Sequence, residues 1–131
     1  MAAVFRVAVV TPEREVLAGE ARFVALPAYD GEMGILPRRA PLLVALGSGV
    51  LRVEDAAGVS RRLFVSGGFA QMVEDRLTVL TEEAREPETL EAEAGRTSLA
   101  TARELPAGSD EEWRRKQRAL DRARTVARLG R

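Results

Sequence analysis

The 131-residue chain contains no cysteine and no histidine. Their absence removes disulfides, thiol nucleophiles, Ser–His and Cys–His relays and the usual zinc ligand sets. A metal site built only from carboxylates survives that exclusion, but no stretch has the spacing of a calcium loop. No run of 18 or more apolar residues occurs, so no membrane-spanning helix is expected. The opening MAAVFRVAVVTPE lacks the basic start and long apolar stretch of a secretory signal. Association with a membrane is therefore expected to run through another protein. Neither G-x-x-x-x-G-K-[ST] nor G-x-G-x-x-G is present: Gly47-Ser48-Gly49 is followed by Val-Leu-Arg and fails the second pattern. The inventory points away from an enzyme and from any cofactor.

What is present is enough to fold. Apolar residues make up 46% and charged residues 31% of the chain, a composition that supports a core and argues against disorder. The 20 acidic and 20 basic residues balance but are unevenly placed. Residues 86–112 hold eight acids and two arginines, a net −6, whereas residues 113–131 hold eight bases and one acid, a net +7. Adjacent segments of opposite sign suggest a folded pair or a segment awaiting an acidic partner.

The hydrophobic period changes along the chain. Over residues 4–83, short apolar or alternating runs recur at 4–10, 22–27, 42–46, 50–55, 61–67, 69–73 and 76–81. They are separated by Thr11-Pro12, Asp30-Gly31, Gly47-Ser48-Gly49, Ala57-Gly58, Gly67-Gly68 and Glu74-Asp75. Short strands between Gly/Pro turns predict an antiparallel sandwich or barrel. After Glu86-Pro87 the composition turns to Ala, Glu, Arg and Leu. A helix is expected over about 88–105, stopped by Pro106-Ala107-Gly108, and a second over about 110–129, capped by Ser109 or Asp110. Gly95 weakens the first helix, by ~1 kcal/mol relative to alanine. In the second, Trp113, Ala119, Leu120, Ala123, Val126 and Ala127 share one face, with Arg114, Arg118, Arg122 and Arg128 opposite. Lys116 falls within the apolar arc and must snorkel. The expected architecture is α+β, mainly β: an N-terminal antiparallel β-sandwich, residues 1–84, followed by a C-terminal α-helical hairpin, residues 85–131. The small alanine face predicts a docked but detachable hairpin.

Two functions from other classes fit less well. A nucleic-acid-binding module could use the +7 helix, but that helix carries one aromatic and no strand shows a stacking row. An enzyme on a sandwich could use Glu82 and Glu83, yet adjacent strand residues point to opposite faces.

One stretch is more specific: Asp30-Gly31-Glu32-x-Gly34-Ile35-Leu36-Pro37-x-x-Ala40-Pro41-Leu42-Leu43. With Val10-Thr11-Pro12-Glu13, Gly19-Glu20, Gly49-Val50-Leu51-Arg52, Ser66-Gly67-Gly68-Phe69 and Leu77-Thr78-Val79-Leu80 in order, the chain resembles the epsilon subunit of F-type ATP synthases over nearly its whole length. The resemblance implies a non-catalytic subunit of the central stalk that couples rotation of the membrane ring to ATP synthesis. It implies a peripheral position on the cytoplasmic face of a bacterial inner membrane. Its partners would be the gamma stalk subunit, the membrane c-ring and, transiently, the catalytic alpha and beta subunits, with no nucleic acid and no direct membrane insertion. Glu32, Gly34, Ile35 and Arg39 match ring-facing positions; Arg39 stands where histidine is usual, a permanent charge in place of a titratable one. A stiff hairpin with solvated charges fits the same residues. Gly67, Gly68 and Phe69 match a stalk interface, although the glycine pair reads first as a bulge or tight turn. Arg114, Arg115, Arg118 and Arg122 match a helix that inhibits ATP hydrolysis. The family's nucleotide motif is degenerate here: Leu90 and Glu91 align with its first residues, but Ala94 replaces the arginine and Gly95 the alanine.

Overall fold

The computed structural model describes residues 3–131 and divides into two compact units, one ending at Arg85 and one spanning Glu86–Arg131. The first unit contains ten strands: β1 Phe5–Val10, β2 Glu15–Ala21, β3 Phe23–Ala28, β4 Gly31–Ile35, β5 Leu42–Ala45, β6 Ser48–Glu54, β7 Ser60–Ser66, β8 Phe69–Val73, β9 Arg76–Leu80 and β10 Glu83–Arg85. They form two five-stranded sheets, ordered β2-β1-β9-β8-β5 and β10-β7-β6-β3-β4. All pairings are antiparallel except β1 with β9. β1 has its hairpin partner β2 on one side and, on the other, β9 from the far end of the domain; the long connection between β1 and β9 is what allows that pair to be parallel.

Alternation drives the sandwich. Phe5, Val7 and Val9 on β1, Leu51 and Val53 on β6, Ala70 and Met72 on β8, and Leu77 and Val79 on β9 all point inward. With Val24, Leu26, Ile35, Leu63 and Val65 they fill one continuous core. Seven of the ten strands match the apolar runs of the sequence. The other three, β2, β4 and β10, were not predicted, and each lies at the edge of a sheet.

One corner holds the sheets together. The chain changes sheet five times, and three of those crossings, between β5 and β6, between β7 and β8, and between β9 and β10, bond to one another. Leu46 N donates to Gly68 O at 2.9 Å, and Gly67 N to Gly47 O at 3.3 Å. The Ser48 and Ser66 hydroxyls lie 2.8 Å apart. The buried Thr81 hydroxyl donates toward the Ser66 and Glu83 carbonyls, 3.1 Å from each. Among the described residues no buried side-chain polar atom lacks a partner, as a folded interior requires.

The second unit begins with a 3-10 turn, Pro87–Thr89, followed by α1 Ala92–Arg103 and α2 Asp110–Leu129. The first helix therefore starts four residues later than expected. Leu90 and Glu91 are extended, with ψ of 140° and 123°, because their neighbourhood bonds to residue 131 instead of entering a helix. Ser109 caps α2: its Oγ accepts from Glu112 N at 3.1 Å, and Asp110, Glu111 and Glu112 occupy the electropositive first turn. Leu120, Ala123, Thr125 and Val126 are buried, while Trp113, expected on the same face, is 50% exposed. Lys116 does not merely snorkel. Its Nζ donates to Arg103 O at 2.9 Å, so a cation from α2 satisfies an orphan carbonyl at the end of α1.

Gly95 is not a weak point in α1. It is buried, and a Cβ there would lie 2.7 Å from Ala127 Cα and nearer still to Ala127 N. The helices cross backbone to backbone at this position. Propensity alone makes Gly95→Ala stabilising by ~1 kcal/mol; the overlap with Ala127 reverses the sign. Thermal melting followed by the helical circular dichroism signal is expected to show a lower hairpin transition in Gly95→Ala than in wild type. A higher transition would mean that α1 and α2 do not approach this closely.

Candidate functional site

The crossover loop after β4 is built on a strained turn. The β8–β9 connection has two residues, Glu74 and Asp75, with φ of 48° and 58°, the left-handed pair that a tight hairpin of this twist demands. Neither is glycine. Asp75 Oδ1 accepts a hydrogen bond of 2.7 Å from the backbone N–H of Arg38, itself left-handed at φ 63°, and Asp75 O accepts from Arg6 N at 2.9 Å. One aspartate thus fastens the loop 36–41 to the end of the first sheet. The sequence marked Glu74-Asp75 only as a turn; Asp75 as an anchor depends on a contact across 37 residues, which no local pattern carries.

Around this loop the four residues matched to a ring-facing surface do not form one group. Ile35 is fully buried in the sandwich core and offers no side chain to a partner, which corrects the expectation for it. Gly34 is exposed on the edge strand, and Phe23 covers it: a Cβ there would lie 3.0 Å from Phe23 Cε1. The Arg52 guanidinium sits over that ring, 5.6 Å from its centroid. A side chain at Gly34 would press on the Phe23 ring. Glu32 and Arg39 are both exposed, but Glu32 pairs with Pro27 near the β3–β4 turn, whereas Arg39 lies beyond the other end of β4.

Gly67 and Gly68 have φ of 72° and 96°. A Cβ on Gly68 would overlap Leu80 O and lie 2.8 Å from Thr81 Cα, so the tight-turn reading of the pair holds at Gly68 on backbone grounds. Phe69, the next residue, is 55% exposed. It belongs to a row that the sequence did not reveal. The pairings of β5, β8, β9 and β1 set Ala45, Phe69, Leu80 and Val10 side by side, on the face of the first sheet that points away from the core. Leu80 is 54% exposed, and Leu43, two residues before Ala45 on β5, is 68% exposed.

On α2, Arg114, Arg115 and Arg118 are exposed and Arg122 is partly buried. Arg115 lies 3.4 Å from Glu111, one turn back, with both side chains largely in solvent. At the degenerate nucleotide motif, Gly95 is packed against α2 and Ala94 is exposed, so the two positions do not share a surface. Glu83 pairs with Arg85 at 3.6 Å. Among the described residues no group of three or more Asp or Glu could hold a metal, and no helix is long and apolar enough to cross a membrane.

The sequence model of the ATP synthase delta/epsilon chain beta-sandwich domain matches residues 4–87. The chain belongs to the ATP synthase delta/epsilon chain family. It is 44% identical over 126 residues to the ATP synthase epsilon chain of Rhodopirellula baltica, covering 96% of this chain and 98% of that one. It is 37% identical over 125 residues to the ATP synthase epsilon chain of Desulforamulus reducens, covering 94% of each. The helical hairpin therefore falls within the similarity, although the family model ends at its start. Two solved structures share the fold. A chain in the Euglena gracilis mitochondrial ATP synthase, OSCP/F1/c-ring, superposes with a TM-score of 0.76 at 22% identity, covering 95% of this chain and 79% of that one. A chain in the central stalk/c-ring structure of the Tetrahymena thermophila enzyme gives 0.70 at 13% identity, covering 96% of each.

Asp75→Gly separates the anchor from the turn. Glycine accepts the left-handed conformation without strain, so the sandwich is expected to melt at or above the wild-type temperature. The Arg38 amide, deprived of its acceptor, is expected to exchange hydrogen about tenfold faster. Unchanged exchange at Arg38 would show that the loop is held by other means.

Proposed function

We propose that the chain is a non-catalytic central-stalk subunit of an F-type ATP synthase that couples ion-driven rotation of the membrane ring to ATP synthesis. The observation that carries this reading is the exposed row of Phe69, Leu80 and Leu43 on a sheet whose inner face already fills a core. Contiguous exposed apolar surface marks a binding site more often than chance. Similarity over nearly the whole chain to proteins named ATP synthase epsilon chain supports the gamma stalk subunit as its occupant. Gly67 and Gly68 adjoin the row and let the chain turn there without side chains that would hold a partner away.

The sandwich, residues 1–84, is the docking domain in this proposal, and the hairpin, residues 85–131, the regulatory one. Glu32 and Arg39, the exposed members of the ring-facing group, meet the polar loops of the c-ring, with Gly34 shaping the strand between them. Asp75 stiffens the loop that carries Arg39, and a stiff contact transmits torque better than a loose one. Arg114, Arg115, Arg118 and Arg122 on α2 act together as a brake on ATP hydrolysis by meeting an acidic loop of the catalytic alpha and beta subunits. Any one exposed pair is worth only ~0–1 kcal/mol, so the effect is collective. The subunit binds no cofactor and sits peripherally on the cytoplasmic face of a bacterial inner membrane, held there by its partners.

Copurification tests the docking surface. Wild-type chain is expected to carry the gamma subunit and the hexameric ATPase with it, and the double variant Phe69→Asp/Leu80→Asp to bind gamma at least about tenfold more weakly. Both side chains are exposed, so the variant retains its fold by circular dichroism. Undiminished binding would place the stalk elsewhere.

The brake has its own test. Replacing Arg115, Arg118 and Arg122 with alanine is expected to raise ATP hydrolysis by the assembled enzyme about two- to tenfold, with assembly and synthesis largely intact, and high salt to reproduce part of the rise. Hydrolysis at the wild-type rate in this variant, and in one truncated before Pro87, would mean that the hairpin exerts no inhibition.

A further inference from the structure

The two ends of the helical hairpin are joined by main-chain bonds. Arg131 N donates to Leu90 O at 3.1 Å, and Ala92 N donates to Arg131 O at 3.0 Å. One residue thus bonds to both neighbours of Glu91, the pattern of a single rung in a parallel ladder. The rung ties the extended residues before α1 to the residue after α2. Gly130 makes it reachable: its N–H closes α2 onto Val126 O at 2.8 Å. A Cβ on Gly130 would lie 2.6 Å from Glu91 C and nearer still to Ala92 N. Its φ of −70° is one that any residue adopts, so glycine is required here by contact and not by conformation.

The grip of α2 on α1 is uneven along its length. At the Gly130 end, the rung and the backbone crossing of Gly95 on Val126 and Ala127 lie within about one helical turn of each other. At the other end, the hydrogen bond from Lys116 to Arg103 O is exposed, and Trp113 is half in solvent. The buried residues of α2 all lie from Leu120 onward. Separation of the helices meets its main resistance at the Gly130 end.

We propose that the rung between Leu90–Ala92 and Gly130–Arg131 is a latch: α2 leaves α1 only after these two hydrogen bonds open. The latch is a property of the hairpin itself and stands whether or not α2 reaches another subunit. It gives the hairpin one closed register, and places the control of opening at the end remote from the α1–α2 connection. A partner that competes for the Leu90 carbonyl or the Ala92 N–H would release the helix.

Two substitutions address the latch from opposite sides. Ala92→Pro deletes the N–H that reaches Arg131 O, at the first helical position, where proline is compatible with a helix. Glu91 before it is already extended, as proline demands of its predecessor. Gly130→Ala leaves α1 untouched and blocks the approach. Hydrogen exchange by mass spectrometry on the full chain is expected to show Thr125–Leu129 exchanging about tenfold faster or more in both variants. The Leu77–Leu80 segment should keep wild-type protection, and Ala92→Ser, which retains the N–H, should behave as wild type. Wild-type protection of Thr125–Leu129 in both variants would overturn the latch. So would equal acceleration in Leu77–Leu80, which would mark global unfolding.

Discussion

The sandwich rests on one corner where three crossings between sheets lie within hydrogen-bonding reach of each other. A chain that changes sheet exposes backbone groups that no ladder pairs, and burying them unsatisfied is costly. Here the crossings satisfy one another: Leu46 with Gly68, Gly67 with Gly47, and Thr81 with the Ser66 and Glu83 carbonyls. Such mutual bonding needs close approach, and Gly68 permits it where any side chain would strike Leu80 O. The same geometry governs the surface. Leaving the corner, β8 begins at Phe69 with its side chain outward, because Ala70 and Met72 take the inward positions. The apolar row that we assign to the stalk is thus a consequence of where the chain crosses.

The glycines divide by physical cause. Gly68 answers to backbone conformation and to contact; Gly95 and Gly130 answer to contact alone, where two backbones meet without side chains between them. Gly34 lies against the Phe23 ring, which a side chain there would crowd. Gly34, Gly68 and Gly95 were each open to a functional or a weakening interpretation in the sequence, and in each the fold supplies a packing reason. The exposed residues that packing does not explain, Glu32, Arg39 and Phe69 among them, are the better candidates for partners.

The hairpin combines a firm end with a loose one. Arg114, Arg115 and Arg118 lie along the first half of α2, where burial is slight, and its backbone closure lies at the other end. That asymmetry suits the regulatory role proposed for the hairpin: charges free of the packed end, and a defined closed state to return to. A hairpin closed only by its alanine face would have no fixed register, because small side chains interlock weakly.

The sequence by itself determined the class of the fold and most of its interior. Strands β1, β3, β5, β6, β7, β8 and β9 were legible because most of them bury a full inward row, which writes alternation into the chain. Strands β2, β4 and β10 were not. Each is an edge strand broken by charged residues or glycine, whereas β5, also at an edge, lies in the unbroken apolar run 42–46; β4, for example, buries only Ile35, so its pattern is set by the neighbour it pairs with. The start of α1 was misplaced for a related reason, since Leu90 and Glu91 obey a bond to residue 131 that helix propensity does not register. The candidate sites divide the same way. Charged and glycine-rich motifs were visible as residues, but which of them are exposed, that Ile35 turns inward, that Asp75 anchors the loop and that Phe69 meets Leu80 were decided only by pairings between distant segments. Local sequence records local periodicity; long-range register is settled by the packing of the whole core.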